Sequence, residues 1–389
     1  MTEMVYGTVP PRPGEAVLPR WWRTVDKVSL GAVFALFAFG LLLGFAASIP
    51  LAERNGLPPF HYVQRQVVFG VVGLAVMIVV SMLKVEQVRR LGVMICVAAF
   101  AGLVLLPLFG TDFGKGATRW YSIGFGSVQP AEFLKPGFVV LSAWLLAASH
   151  DINGPPGRTV SLALTVTILG FLVMQPDYGQ AALILFAWLV MYFIAGAPMI
   201  MVVGLFGLAA AGGVVAYNMS AHVASRINGF LSPEVDPRTQ LGYATNAIRE
   251  GGLFGVGVGE GSVKWSLPDA HTDFIIAVAA EEYGLLMVVV IIGLYATITW
   301  RGLARLSRDR DIFVRLAGSG LVLLFAAQAI INMGVAVRLL PAKGMTLPFV
   351  SYGGSSLVAS GLAIGILLAL SRERPQGQIE DVFLRRGVR

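Results

Sequence analysis

Val28-Ser29-Leu30-Gly31-Ala32-Val33-Phe34-Ala35-Leu36-Phe37-Ala38-Phe39-Gly40-Leu41-Leu42-Leu43-Gly44-Phe45-Ala46-Ala47-Ser48-Ile49-Pro50 carries no charged side chain. A helix needs about 20 apolar residues to cross the hydrocarbon core of a bilayer, so this run reads as a membrane span. Comparable runs follow at 63–83, 91–110, 131–149, 159–174, 180–195, 198–217, 273–299, 314–337 and 348–370. Composition agrees: 56% of the 389 residues are hydrophobic and 13% are charged, where a soluble domain has about 25% charged. Mean hydropathy is +0.75. A soluble chain this apolar would need a core larger than one or two domains enclose. The expected fold class is an all-α integral membrane protein with ten transmembrane helices.

The break Gln175-Pro176-Asp177-Tyr178-Gly179 reads as a turn between the fifth and sixth spans, because a mere kink there would spoil the charge bias. With ten spans and the N-terminus inside, Arg12, Arg20, Arg23, Lys27, Lys84, Arg89, Arg90, Arg158, Arg301, Arg305, Arg308, Arg310, Arg372, Arg374, Arg385, Arg386 and Arg389 all fall inside. They outnumber the cations outside, which places both termini in the cytoplasm. The net charge of +7 follows from this orientation and calls for no nucleic-acid partner. Residues 1–27 are polar and precede an apolar run too long for a cleaved leader, so they read as a cytoplasmic tail, as do 371–389. A lone Cys96 excludes an intramolecular disulfide, and four scattered histidines suggest no metal cage.

Two loops are long, and both fall outside: about 111–130, and 218–272 between the seventh and eighth spans. The second contains Gly251-Gly252-Leu253-Phe254-Gly255-Val256-Gly257-Val258-Gly259-Glu260-Gly261. It follows no strand and lacks a Gly-Lys-Ser/Thr ending, so a nucleotide loop is a poor reading. A backbone that turns sharply and packs close to a neighbour fits better.

Leu267-Pro268-Asp269-Ala270-His271-Thr272-Asp273-Phe274 leads that loop into the eighth span. Asp273 is expected in the first helical turn, where the helix dipole favours a carboxylate by about 0.3–1 kcal/mol. Ala277, Ala280 and Gly284 would share its face, leaving a groove for a ligand or room for a neighbouring helix. An ionisable residue at the mouth of such a groove is a candidate site.

The first outer loop holds Gly116-Ala117-Thr118-Arg119-Trp120 and then Gln129-Pro130-Ala131-Glu132-Phe133-Leu134-Lys135. Pro130 suits a helix start. Glu132 and Lys135 are neighbours on one face and form either a structural ion pair or part of a site. Arg119-Trp120 is an interfacial anchor, or a cation beside an aromatic platform. The segment from Pro341 to Ser356, with Lys343 outside and Ser351-Tyr352-Gly353-Gly354-Ser355-Ser356 at membrane depth, suggests close packing or an irregular helix. Asp177 and Gln175 add another outward polar pair. Nearly all of these clusters open to one side, where ATP and nucleotide sugars are absent. An enzyme working there needs a donor that brings its own leaving group, and a glycosyl lipid pyrophosphate is such a donor.

Taken in order, these motifs, with Ala247-Ile248, Glu281-Glu282-Tyr283-Gly284 and Leu347-Pro348-Phe349 among them, resemble the SEDS family of peptidoglycan glycosyltransferases across about 28–370. Lys343-Gly344-Met345-Thr346-Leu347-Pro348 and Glu53-Arg54-Asn55-Gly56-Leu57…Phe60-His61-Tyr62-Val63…Arg65-Gln66 are more similar to its cell-division branch than to its elongation branch. Tyr283 departs from the leucine common there. The resemblance implies an inner-membrane enzyme acting on lipid II and a growing glycan chain, with Asp273 as the essential carboxylate. Arg119, Trp120, Glu132, Lys135, His271 and Lys343 are the expected substrate-binding residues. No cofactor is required by the pattern; a divalent cation, Mg or Mn, on the pyrophosphate is compatible with it, without a dedicated cage. The implied partners are a single-span, FtsI-like class B transpeptidase and other division-machinery membrane proteins. Two competing readings are a lipid II flippase and a scaffold of the division machinery.

Overall fold

The computed structural model describes residues 16–112, 118–124, 126–151, 154–232, 239–267, 269–341 and 344–372. Among these residues, eight helices are long and apolar enough to span a membrane: α2 (Lys27–Arg54), α3 (His61–Ser81), α4 (Val85–Phe109), α5 (Pro130–Ala148), α6 (Gly157–Met174), α8 (Met199–Met219), α11 (Ile275–Leu306) and α12 (Ile312–Ala336). Two shorter apolar helices, α7 (Tyr178–Ile194) and α13 (Gly354–Leu370), complete the ten expected from the apolar runs. Three further helices lie between or before them: α1 (Val17–Thr24), α9 (Ala221–Leu231) and α10 (Gln240–Gly251). A small antiparallel pair, β1 (Tyr121–Ser122) and β2 (Ser127–Val128), closes the first long loop.

Local chemistry sets the punctuation. Asp26, Asp177 and Asp311 each cap a helix by accepting a main-chain N–H, from Val28, Gln180 and Phe313 respectively. Pro130 occupies the first turn of α5, where its missing N–H costs nothing. Asp177 also ends the ambiguity at 175–179: α6 and α7 are separate helices joined by a turn.

Small residues let the helices approach, as packing without a hydrophobic drive requires. A Cβ on Gly73 would stand 2.7 Å from Leu357 O, fixing α3 against α13, and one on Gly137 would stand 2.6 Å from Cys96 N, fixing α5 against α4. In contrast, α8 contributes no buried residue at all. Polar ties gather at the end of the bundle opposite Asp273. Asp26 is bound by Arg301 at 2.8 Å and lies 3.5 Å from Arg305, Trp21 Nε1 donates to Ser81 Oγ, and Arg372 donates to Leu83 O. Both ends of the described chain therefore meet there.

Three expectations need correction. The stretch 218–272 is not simply a loop, since it holds α9 and α10. The last span starts at Gly354 rather than 348, because Phe349 takes φ +65 and the main-chain oxygen of Pro348 is bound by Tyr295, which makes 348–353 a turn. The eighth span is broken: Gly284 has φ +77 and ψ −178 inside α11. At the break, Val256 N and Gly257 N donate to Glu281 O and Glu282 O, while Leu285 N donates to Gly252 O. The glycine run is thus a strip of backbone stitched onto an interrupted helix. Side chains are excluded because a Cβ on Gly255 or Gly284 would collide with the opposing main chain.

Candidate functional site

Asp273 stands one turn earlier than expected. It lies in the turn 269–274 just before α11, with its N–H donating to Asp269 O at 3.1 Å. The groove expected along Ala277, Ala280 and Gly284 is filled: Ala277 and Ala280 are buried, and α10 sits so close that a Cβ on Gly251 would overlap Ala280 O. Those small residues admit a neighbouring helix. The surface beside Asp273 comes instead from the segment 344–352. The position of a Cβ on Gly344 is 3.2 Å from Asp273 Oδ2, and Ser351 Oγ donates to Thr272 O.

A chain of buried polar groups leads from there across the bundle. Asn332 donates through Nδ2 to Asp273 O at 3.0 Å and to Met345 O at 2.6 Å. One turn away on α12, Gln328 donates to Thr346 O at 3.1 Å and accepts from Lys135 Nζ at 2.9 Å. Lys135 pairs with Glu132 at 2.8 Å, and Gln180 Nε2 donates to the other Glu132 oxygen at 2.6 Å. Glu132 and Lys135 are 6% and 3% exposed, so the pair is internal and its neighbours supply the hydrogen bonds that burial demands. Gln129 Nε2 extends the network to Asp177 Oδ2 at 3.0 Å. Burial raises the Asp177 carboxyl above its ordinary value, with the positive charge of Arg119 opposing and Glu132 adding to the rise.

Arg119 grips the turn between α6 and α7, donating to Gln175 O at 3.1 Å and Pro176 O at 2.8 Å. Trp120 pairs its main chain with Thr111 and is half-buried. His271 is buried, and its carbonyl accepts from Tyr352 N at 2.9 Å. Lys343 lies outside the described residues, as do Gly116 and Ala117.

One residue at this site was not singled out from the sequence. Arg226, on α9, comes close enough to Arg119 to be repelled and to Asp273 to be attracted. The residue as a whole is exposed. Its guanidinium is nonetheless lowered from the usual arginine value, first by partial burial and then by Arg119, with Asp273 opposing. An arginine within Ala221-His222-Val223-Ala224-Ser225-Arg226-Ile227, a short amphipathic stretch, was the available signal. Arg226 thus lies within electrostatic reach of both Arg119 and Asp273, a set of charges suited to an anionic ligand that also gives up a proton. Among the described residues no three His, Cys, Asp or Glu side chains gather as a metal cage.

A helical membrane bundle with a row of buried polar groups running from the Asp273 turn to Glu132, Lys135 and Asp177 defines the class. The chain belongs to the FtsW/RodA/SpoVE family of cell cycle proteins, whose family model matches residues 27–376. A relative from Caulobacter vibrioides named "Probable peptidoglycan glycosyltransferase FtsW" is 42% identical over 365 residues, covering 94% of this chain and 93% of that protein. A relative of the same name from Trichlorobacter lovleyi is 36% identical over 89% of this chain and 93% of its own length. Among solved structures, a chain from work on how a peptidoglycan synthase complex coordinates polymerization and crosslinking has a TM-score of 0.74 and 29% identity, covering 90% of this chain and 99% of that one. The rod shape determining protein RodA of Thermus thermophilus has a TM-score of 0.67 and 29% identity, covering 91% and 99%.

Proposed function

We propose that this protein is a peptidoglycan glycosyltransferase that polymerises lipid II on the periplasmic face of the bacterial inner membrane during septal wall synthesis. The observation that carries the chemistry is the Asp273 turn, held by Asn332 and faced by the segment 344–352, with Arg226 within electrostatic reach of its carboxylate. The relatives named for that activity set the class.

In the proposed step, Asp273 takes the proton from the acceptor sugar 4-hydroxyl, whose oxygen attacks the anomeric carbon of the donor. The bond from that carbon to the pyrophosphate oxygen breaks, leaving a glycan longer by one unit, undecaprenyl pyrophosphate and a protonated Asp273. General-base assistance of this kind contributes about 10²–10⁴-fold. Arg119 and Arg226 hold the charge that builds on the pyrophosphate. Lys135 is committed to Glu132 and Gln328, so its role is to shape the cavity. No step needs a metal held by this chain. The likeness to a chain of a peptidoglycan synthase complex supports an FtsI-like class B transpeptidase as partner.

The test is polymerisation of purified lipid II in detergent, with the transpeptidase partner present. Glycan from the wild type and none from a folded Asp273→Asn variant is the expected result. Equal product from both removes Asp273 from the chemistry. No product from either returns weight to a flippase or a scaffold.

A further inference from the structure

The segment Phe60-His61-Tyr62-Val63-Gln64-Arg65-Gln66 has no part in the step above, yet it packs against His271, two residues from Asp273. Tyr62, in the first turn of α3, has its ring centroid 5.6 Å from His271 and 5.6 Å from Tyr352, and those two are 5.5 Å apart. His61 adds an edge contact to Tyr62 at 5.3 Å. Tyr352 is tied by its N–H to His271 O, two residues from Asp273, and Ser351 is bonded to Thr272 O. The His271 and Tyr352 rings and the Asp273 carboxylate are therefore carried by one stitched piece of backbone. Below them, Gln66 Nε2 donates to Gly40 O at 3.1 Å and Val350 O at 3.2 Å, holding α3 against the same turn.

Packing alone would be served by phenylalanine. Here every ring has a polar edge, and Tyr62, Tyr352 and Arg65 are half-buried rather than buried. Asn55 Nδ2 donates to the Tyr62 hydroxyl at 2.8 Å, and the positive charge of Arg65 stands near the Tyr352 hydroxyl. Rings with one apolar face and one wet edge, fixed before any ligand arrives, suit a molecule that is itself apolar on its faces and hydroxylated round its rim. A pyranose ring is such a molecule.

We propose that Tyr62, His271 and Tyr352, with Arg65 at their edge, form a sugar subsite that seats one pyranose ring of the lipid-linked saccharide next to Asp273. The proposal rests on the lipid II reading and names where its sugar is held. The ring's C–H face lies on the tyrosines, while Arg65 and Asn55 meet its oxygen substituents.

The experiment compares binding of lipid II with binding of undecaprenyl pyrophosphate, which has the same lipid and pyrophosphate but no sugar, to the full-length protein in detergent. Tyr62→Leu and Tyr352→Leu should each weaken lipid II binding about tenfold, roughly the loss of one ring contact, and leave undecaprenyl pyrophosphate binding unchanged. Tyr62→Phe and Tyr352→Phe, which keep the ring, should retain most of the preference for lipid II. Equal loss for both ligands, or none for either, overturns the subsite. So does a wild type that binds lipid II no better than undecaprenyl pyrophosphate. Should a leucine variant not fold, the phenylalanine pair decides: loss of the lipid II preference in those variants refutes stacking. Failure of the polymerase reading would show separately, as absence of glycan from a wild type that still prefers lipid II.

Discussion

The side-chain amide of Asn332 donates to the main-chain oxygen of Asp273 at 3.0 Å and, through the same nitrogen, to that of Met345 at 2.6 Å. One buried group, 1% exposed, thus sets the distance between the turn that carries the carboxylate and the segment that faces it. Asn332→Leu removes both bonds and leaves two carbonyls without this donor. A misplacement of about 1 Å costs on the order of 10²-fold in rate, so turnover should fall by about that factor with KM for lipid II little changed. Single-turnover kinetics on the folded variant check this; a fall in KM-dependent binding alone would contradict it.

Glu132 and Lys135 should behave as an internal pair. Breaking it from one side, with Glu132→Gln or Lys135→Met, leaves a buried charge unmatched and should cost about 3–5 kcal/mol. The double variant should lose less than the sum of the two. Thermal melting of all four proteins in one detergent measures the coupling.

Asp177 makes a prediction with a sign. Burial raises its carboxyl above the ordinary value of 3.8, so the stability linked to its protonated form is complete below that value. That stability is lost as pH rises through the folded-state value. Asp177→Asn keeps a cap acceptor for Gln180 and removes the titration. Its melting temperature should exceed that of the wild type at neutral pH, with the gap closing toward about pH 4. A gap that does not change with pH would rule out this account.

Gly284→Ala tests the broken helix. The substitution puts a Cβ at φ +77 against Leu253 O and Gly255 N. Strain of this kind costs about 1–3 kcal/mol before the collision is counted. Loss of folded protein in detergent is the expected outcome, and wild-type melting would show that the strip tolerates displacement.

Arg226→Gln removes the guanidinium within electrostatic reach of Asp273. If Arg226 steadies charge on the leaving pyrophosphate, kcat should fall by on the order of 10²-fold while the melting temperature stays put. An unchanged kcat would confine Arg226 to the surface.

The spans were legible because lipid leaves so few alternatives: a run such as 28–50 has no soluble explanation, and Asp177 marks its turn by composition alone. The break in α11 was not legible, since apolar residues continue on both sides of Gly284 and periodicity hides an interruption that only the facing backbone strip requires. Asp273 stood out in the sequence as an ionisable residue at the head of a span, but the packing beneath it did not. The small residues beneath it answered to Gly251, a contact between distant segments. Lys135 reads in the sequence as the partner of Glu132, whereas its second tie, to Gln328, joins residues 193 positions apart. Arg226 escaped because its one local signal, the short amphipathic stretch 221–227, does not by itself tell it from an ordinary surface arginine.

The interruption at Gly284 also divides labour along α11. The stub Ile275–Tyr283 is clamped by the strip at Gly252–Gly257, whereas the stretch from Leu285 to Leu306 faces the lipid through Leu285, Leu286, Val289, Val290 and Ile292. Bilayers differ in thickness, and spanning helices answer by tilting. The strip bonds both sides of the joint, at Glu281 O and Glu282 O on the stub and at Leu285 N on the long half, and Tyr295 on that half holds Pro348 O, so a lean of the long half is passed to the segment that faces Asp273.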